Sequence, residues 1–370
     1  MTDRHILVLN AGSSSIKSAL FDQKLRELLR VEATGVAAEG RLRIVGSGSD
    51  DDLHPDIPDN SAALDLVLSA LTKRGFPVSE LGGVGHRVVH GGAKLNRPEQ
   101  ITTEVRDIIE ACVPLAPLHN PHHLNAIERM AQAAPDLLQV ACFDTAFHVS
   151  QPDVARAYAL PQNKQTAALQ RYGFHGNSYA ALVDGFQDAT GQPLPRRLLA
   201  LHLGNGASLC AIEDGKSVAT TMGYSPVSGV PMGTRSGDID ATAVLTLAEA
   251  MGTDRARSLL TEESGLLGLS GISPDMRTLE ASDAPEAAFA IEHFCYWIIR
   301  HAGSLIAAMQ GLDAIAFTGG IGENAEKIRK RIVDGLTWLG PFAHYVVPAR
   351  EEAYIAQQTL KLLQHRGAHV

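Results

Sequence analysis

The chain of 370 residues is short of paired cysteine, of excess positive charge and of long apolar runs. Its four cysteines, Cys112, Cys142, Cys210 and Cys295, are scattered and form no CxxC pair; Cys142 and Cys210 fall inside apolar strand-like runs and read as core thiols. Lys and Arg number 32 against 41 Asp and Glu, a net charge of −9, which argues against a nucleic acid as the main partner. A small anionic substrate held by local arginines remains compatible with that balance. The apolar stretch 294–309 is broken by Arg300 and His301, so no run spans a membrane. The opening MTDRHILVLN reaches a turn too soon for a signal peptide. These shortages together lead us to expect a reduced, cytoplasmic protein. No P-loop is present: around Lys17 and Ser18 the two glycine positions hold Ala11 and Ile16, and the chain turns at Asp22 instead of entering a helix. His90-Gly91-Gly92 has the look of an oxyanion-hole motif, but no GxSxG elbow accompanies it. The balance of 45% hydrophobic and 20% charged residues is ordinary for a globular protein with a sizeable core, and the length leaves room for two domains.

What is present is organised around HLGNGASLCAIEDG, residues 202–215. The apolar run 198–203 breaks into Gly204-Asn205-Gly206 and resumes at 208–212, which predicts strand, turn and strand. Two glycines around one asparagine bare backbone N–H groups and admit a ligand closely, although most such turns only reverse the chain. A second device of this kind, LVLNAGSSSIKSALFD, occupies residues 7–22. Two such hairpins point to two related halves gripping one phosphate-rich ligand. Lys17, on the return of the first hairpin, either faces a phosphate or is solvated.

Further along, Arg41–Val45 reads as a strand, and residues 46–60 read as a polar loop whose three aspartates are solvated. Residues 61–74 are predicted helical, with Leu64, Leu68 and Leu71 on one face. In GGVGHRVVHGG, residues 82–92, Val84, Val88 and Val89 suggest a strand that carries Arg87. A charge there is costly unless it is paired or faces a ligand, and Val89, two positions on, is expected on the same face as Arg87. In PLAPLHNPHH, residues 114–123, Asn120 is expected to cap a helix with Pro121 in first position. His122 and His123 then fall in an ordinary first turn, and His119 remains the site candidate. Residues 137–143 read as a strand buried on both faces and ending in Asp144, which either serves a ligand site at the strand's carboxyl end or caps the next segment. YGFHGNSY, residues 172–179, sets Phe174 and His175 before a helix. Residues 222–240 form a glycine-broken loop containing Pro226 and Arg235, an arginine suited to holding an anion, ahead of a helix with Val244, Leu247 and Met251 on one face. Residues 285–310 read as a long helix, apolar and buried nearly all round. A strand at 313–318 then leads into Gly319–Asn324 and a helix to Gly335. Gly320, Gly322 and Ala325 fit the dinucleotide fingerprint GxGxxA, with Glu351 beyond a strand at 345–347. An oxidoreductase is therefore the rival reading, opposed by the 19 residues left after Glu351, too few to complete such a sheet.

LVLNAGSSSIK, GHRVVHGG, LHNP, CFDTAFH, YGFHGNSY, HLGNGAS, PMGTRSGDID, SGISPDMR and FTGGIGEN, in this order, resemble the acetate and propionate kinase family from residue 6 to about 356. The resemblance implies an α/β fold of two related actin-like (ribonuclease H-like) domains with a nucleotide cleft between them: residues 1–148 plus 353–370 on the carboxylate side, residues 149–352 on the nucleotide side. It implies a cytoplasmic homodimer that moves a phosphoryl group reversibly between ATP and acetate, giving acetyl phosphate and ADP, with propionate as the alternative acceptor. Asn10 and Glu351 would serve Mg²⁺, or Mn²⁺ in its place. Lys17, His202, Leu203, Gly204, Asn205, Gly206, Asp275, Met276, Arg277, Gly320, Ile321, Gly322, Glu323 and Asn324 would hold the nucleotide. Arg87 would bind the carboxylate, and Val89, Leu118, His119, Phe174 and Pro226 would surround it. Asp144, His175 and Arg235 would be catalytic. The chain departs from the family pattern at Asn177 and Tyr179, where Thr and His are usual, and at Ala349 and Arg350, where Thr and Asn are usual. A third alternative is a non-enzymatic actin-like module that binds ATP and partners.

Overall fold

A computed structural model of the chain describes residues 4–367; residues 1–3 and 368–370, the outer ends of the first predicted domain, lie outside it. The chain divides into two compact units, Met1–Ala146 with Arg350–Val370, and Phe147–Ala349. Among the described residues no helix is long and apolar enough to cross a membrane.

The first unit carries an eight-stranded sheet: β1 (His5–Ala11), β2 (Ser15–Phe21), β3 (Glu27–Thr34), β4 (Arg41–Val45), β5 (Asp51–Leu53), β6 (Leu81–Val88), β7 (Glu99–Gln100) and β8 (Leu138–Phe143). Its order is β5-β4-β3-β2-β1-β6-β8-β7. Helices α1 (Asn60–Lys73), α2 (Thr103–Ala111) and α3 (Asn120–Ala133) connect these strands. The second unit holds α4 (Asp153–Arg156), α5 (Gly176–Thr190), β9 (Arg197–Leu203), β10 (Ala207–Glu213), β11 (Lys216–Thr220), α6 (Ala241–Met251), α7 (Thr253–Glu262), α8 (Gly265–Ser270), α9 (Met276–Glu280), α10 (Pro285–Met309), β12 (Ala314–Thr318), α11 (Gly319–Asn324), α12 (Glu326–Asp334) and β13 (Ala343–Val346). The chain then returns to the first unit as α13 (Glu351–Gly367).

Both predicted glycine hairpins form, as β1–β2 and β9–β10. They open the same five-strand pattern. In the first unit β3, β2 and β1 are antiparallel neighbours, and β6 and then β8 run parallel to β1. In the second, β11, β10 and β9 repeat the meander, and β12 and β13 run parallel to β9. Four strands escaped the sequence reading: β3, β5, β7 and β11. In β3, Leu29, Val31 and Ala33 share a buried face while Arg30 and Glu32 point away. In the supposed polar loop β5 forms, where Asp52 pairs with Arg41 at 2.6 Å and Asp51 with Arg74 at 2.7 Å.

The central strand β1 is buried on both faces. Leu7 and Leu9 pack in the cluster that includes Leu64, Val67 and Met130 from α1 and α3. Ile6 and Val8 pack with Ile355 and Ala356 of α13. In the second unit Tyr179, Leu182 and Phe186 of α5 cover Leu198, Ala200, Ala314 and Ala316. Helix α10 is not apolar all round in its setting. It buries one stripe through Ala290, Phe294, Ile298, Ala302 and Leu305, and leaves Phe289 56% and Tyr296 61% exposed. Helix α6 buries no side chain, and Leu245 on it is 62% exposed.

The return of α13 depends on missing side chains in β6. A methyl group on Gly85 would stand 2.5 Å from Ile355 Cγ2 and 2.5 Å from Thr359 Oγ1. Gly85→Ala is therefore expected to lower stability by about 1–3 kcal/mol through overpacking. Urea unfolding checks this, and an unchanged midpoint would mean that α13 does not pack against β6.

Candidate active site

The first cluster of chemistry stands where three neighbouring parallel strands end. Asn10 is near the end of β1, Arg87 near the end of β6, and Asp144 directly follows β8, its N–H bonded to Val88 O at 3.0 Å. The register pairs Leu9 with His86 and Arg87 with Cys142, so Asn10 and Arg87 stand at one level and Asp144 two residues beyond it. Arg87 Nη2 donates to Asp144 Oδ2 at 2.7 Å, and Nε lies 3.1 and 3.2 Å from the two oxygens. Nη1 reaches Asn10 Oδ1 at 3.4 Å. The Asp144 side chain is 1% exposed and that of Arg87 22%. Burial opposes the guanidinium's charge, but the carboxylates of Asp144, then Glu351 and Glu352, more than offset it and raise its pKa. Arg87 is thus both paired and close to the unit's acidic groups, and Asp144 is held by an arginine.

The histidines near Arg87 are neutral. Burial drops the His86 and His90 pKa values to about 4, and His86 Nε2 lies 2.7 Å from Gln139 Oε1. His123 is also held far below its usual range, by burial and then by the Arg87 charge. The expected first turn of α3 forms, with Pro121, His122 and His123 in it, but starts one residue early. Asn120 is its first residue instead of its cap, is fully buried, and donates to His90 O and Ile109 O. His122 Nδ1 meets Asn60 Nδ2 at 2.6 Å, and His123 is 3% exposed with both ring nitrogens unbonded. The loop before the helix is better served by an asparagine that ties it down than by one that caps, because three backbone groups there need partners. His119 itself precedes the helix with φ −131°. Leu118 is 41% exposed and Val89 4%. Val89 also departs from expectation: β6 ends at Val88 and Val89 sits in a bend, so strand alternation does not place it beside Arg87.

The second cluster lies in the other unit, where β9 and β12 end side by side with His202 paired to Thr318. A pocket of about 810 Å³ opens there, lined by Gly204, Asn205, Pro274, Asp275, Met276, Arg277, Glu280, Gly320, Ile321, Asn324 and Ala325. That volume suits a nucleotide-sized molecule, being within the range of about 300–1,000 Å³ usual for such sites. Gly319 makes the approach feasible, with φ +79° and a would-be methyl group 2.8 Å from Leu203 O. Asp275 caps α9 and pairs with Arg277 at 2.6 Å, and the Arg277 guanidinium draws its carboxyl down to about 2. Glu280 was not foreseen in sequence, and Pro274 and Ala325, although within quoted motifs, were not named as nucleotide residues. Glu280 stands four residues after Met276 on α9, a spacing that puts both on one helix face. Of the residues expected at a nucleotide, Lys17 lies in the first unit and is exposed, Leu203 keeps its side chain in the core, and Glu323 accepts the Ala349 N–H at 2.9 Å. The GxGxxA segment is not a turn into one long helix: α11 starts at Gly319, stops at Asn324, and is separated from α12 by Ala325.

Beside this pocket, His175 has left-handed backbone angles, φ 58° and ψ 22°, ahead of α5. Such strain in a residue other than glycine persists where surrounding contacts over-determine it. Here His148 Nε2 donates to Phe174 O at 2.8 Å, and its Nδ1 meets Ser217 Oγ at 2.9 Å. The His175 ring stacks on His202 at 4.2 Å, and His202 Nδ1 meets Ser178 Oγ at 2.7 Å. Arg235 Nη1 donates to Pro226 O at 3.1 Å, which fixes the guanidinium against its own loop. Phe174 is 1% exposed.

Residues 5–356 match the Acetokinase family. The chain is 46% identical over 346 residues to an acetate kinase of Rhodopseudomonas palustris, covering 90% of this chain and 87% of that one. Its fold is similar to the crystal structure of Porphyromonas gingivalis acetate kinase, with a TM-score of 0.88 at 34% identity over 97% of this chain and 100% of that one. It is also similar to a propionate kinase from Francisella tularensis subsp. tularensis SCHU S4, with a TM-score of 0.90 at 33% identity over 96% of this chain and 98% of that one. With two α/β sheets of one repeated strand pattern, glycine turns at a nucleotide-sized pocket and this match over nearly its whole length, the chain belongs to the Acetokinase family and has its actin-like fold.

Proposed function

We propose that this chain, an ATP-dependent phosphotransferase with a carboxyl acceptor by family, moves the γ-phosphoryl group of ATP reversibly to acetate, giving acetyl phosphate and ADP. The observation that carries the reading is the pocket in the second unit, walled by the two glycine turns and by Pro274, Asp275, Met276 and Arg277. Backbone N–H groups at such turns suit phosphates, and the apolar body of Met276 suits a base. Incubation with ATP, acetate and hydroxylamine as a trap should yield hydroxamate. ATP binding without hydroxamate would leave a non-enzymatic module, and binding of a nicotinamide dinucleotide in place of ATP would restore the oxidoreductase reading.

A carboxylate is already a nucleophile and needs no general base. What it needs is charge neutralisation and alignment beside a second anion. Arg87 orients the carboxylate, and Asp144 holds Arg87 in the required pose through their shared hydrogen bonds. His175 and Arg235 donate to the transferring group. The oxygens of Asn10, Asp144 and Glu351 fit Mg²⁺, a hard cation that takes one or two carboxylates and fills its remaining positions with phosphate and water. Among the described residues no group of three or more His, Cys, Asp or Glu could hold a metal by itself. When bound, Mg²⁺ would neutralise phosphate charge, and Asn10 and Glu351 would hold it. The exposed faces of α6 and of α10 at Phe289 and Tyr296 support a homodimer; sedimentation at micromolar concentration should return twice the chain mass, and a monomer would remove this reading.

Arg235→Ala should lower turnover on the order of 10³-fold, the scale of a lost transition-state arginine, with ATP binding little changed. A variant that keeps its turnover and loses only stability would make Arg235 structural. Val89→Ala tests the acceptor side. If Val89 touches the carbon behind the carboxylate, its truncation makes room for roughly one methylene, and propionate should gain on acetate several-fold to about tenfold in kcat/KM. A core valine would cost about 1–3 kcal/mol of stability instead, with an unchanged ratio of the two acids.

A further inference from the structure

The His175 ring rests on a buried hydroxyl pair that includes one of this chain's departures from its family's pattern. Ser208 Oγ lies 2.9 Å from His175 Nδ1 and 2.6 Å from Tyr179 Oη. Ser208 and Tyr179 are both 0% exposed, and His175 is 8% exposed. Ser208 has one proton and two close partners, so it donates to one and accepts from the other. The phenol is the most acidic donor of the three groups and the imidazole nitrogen the most basic acceptor. Donation therefore runs from Tyr179 to Ser208 to Nδ1, each bond strengthening the next in a site that water does not reach.

A Nδ1 that accepts leaves the ring proton on Nε2. That edge of the ring faces the Gly206 turn: a methyl group on Gly206 would stand 3.2 Å from His175 Nε2 and 3.7 Å from Arg235 Nη1. The ring consequently presents its N–H toward that turn.

We propose that Tyr179, through Ser208, is a positioning residue that fixes His175 as the neutral Nε2–H tautomer and aims this N–H at the group being transferred. The proposal rests on the phosphotransferase reading for the identity of that group, but the tautomer itself does not. Tyr179 also packs against Phe147 and His148, with ring centroids 6.2 and 5.7 Å away. Tyr179→Phe keeps this packing and removes only the hydroxyl.

The test combines ¹⁵N NMR of the histidine rings in the nucleotide-free full chain, with His175 assigned through His175→Gln, and steady-state kinetics. The wild-type ring should show Nε2–H. In Tyr179→Phe a Nδ1–H population should appear, because Ser208 Oγ is released to accept. Turnover should fall roughly tenfold, less than the ~10²-fold or greater cost of deleting a transition-state donor, with KM for ATP and acetate within about twofold of wild type. A wild-type ring with Nδ1–H would overturn the relay whatever the variant does. An unchanged tautomer and turnover in a folded Tyr179→Phe would reduce Tyr179 to packing. A wild-type chain that forms no acyl phosphate would sink the phosphotransferase reading, and the NMR result would still decide the relay.

Discussion

The first unit is arranged around a carboxylate that water barely reaches. Asp144 at 1% exposure is stabilised by Arg87, which bonds both of its oxygens. Removing either partner of such a pair costs about 3–5 kcal/mol, since a buried charge is left uncompensated. Holding the pair requires β1, β6 and β8 to keep their register, and that requirement explains their composition. All six residues of β8 are buried, β1 packs on helices through both faces, and the glycines of β6 let α13 lie close enough to bring Glu351 and Glu352 into the field of Arg87.

The second unit repeats the strand pattern and ends it with different chemistry. Where β1 and β6 end in an amide and a guanidinium, β9 and β12 end in glycine turns that expose backbone to a pocket. Charge there is carried by the Asp275–Arg277 pair, by Glu280 and by Arg235. Near them stand the hydrogen-bonding side chains His175, His202, Ser178, Ser208 and Tyr179. Repetition of a fold thus fixes where the strands end, while the side chains at those ends decide what each half can hold.

What the sequence made legible follows from physics local in the chain. Glycine turns between apolar runs announced both hairpins, and the near-continuous apolar run before Asp144 announced β8 and its loaded end. Position relative to solvent was not local. The apolar length of α10 reads as burial, yet Phe289 and Tyr296 face outward, because burial depends on which elements arrive beside the helix. Asn120 has the chemistry of a cap, but backbone groups at His90 and Ile109 claim its amide. Val89 obeys strand alternation only if the strand continues, and β6 stops one residue earlier. Tyr179 was visible as a departure, but its link to His175 runs through Ser208, 29 residues away in sequence.

Charge balance at the first site also bears on what it accepts. Arg87 and Arg30 stand against Asp144, Glu351 and Glu352, with Arg30 3.6 Å from Glu352. His86, His90 and His123 add nothing, since burial keeps them neutral. Lys17, opposite Asn10 on β2, and Arg350, next to Glu351, add positive charge to this unit, so the local constraint is not a net excess but the pairing itself: Asp144 already takes the Arg87 hydrogen bonds. At an effective dielectric of 20, two unit charges 4 Å apart interact by about 4 kcal/mol, enough to decide whether a small anion stays. On the reading proposed above, a guanidinium whose charge is already shared with Asp144 would hold a carboxylate more firmly once a cation had joined it.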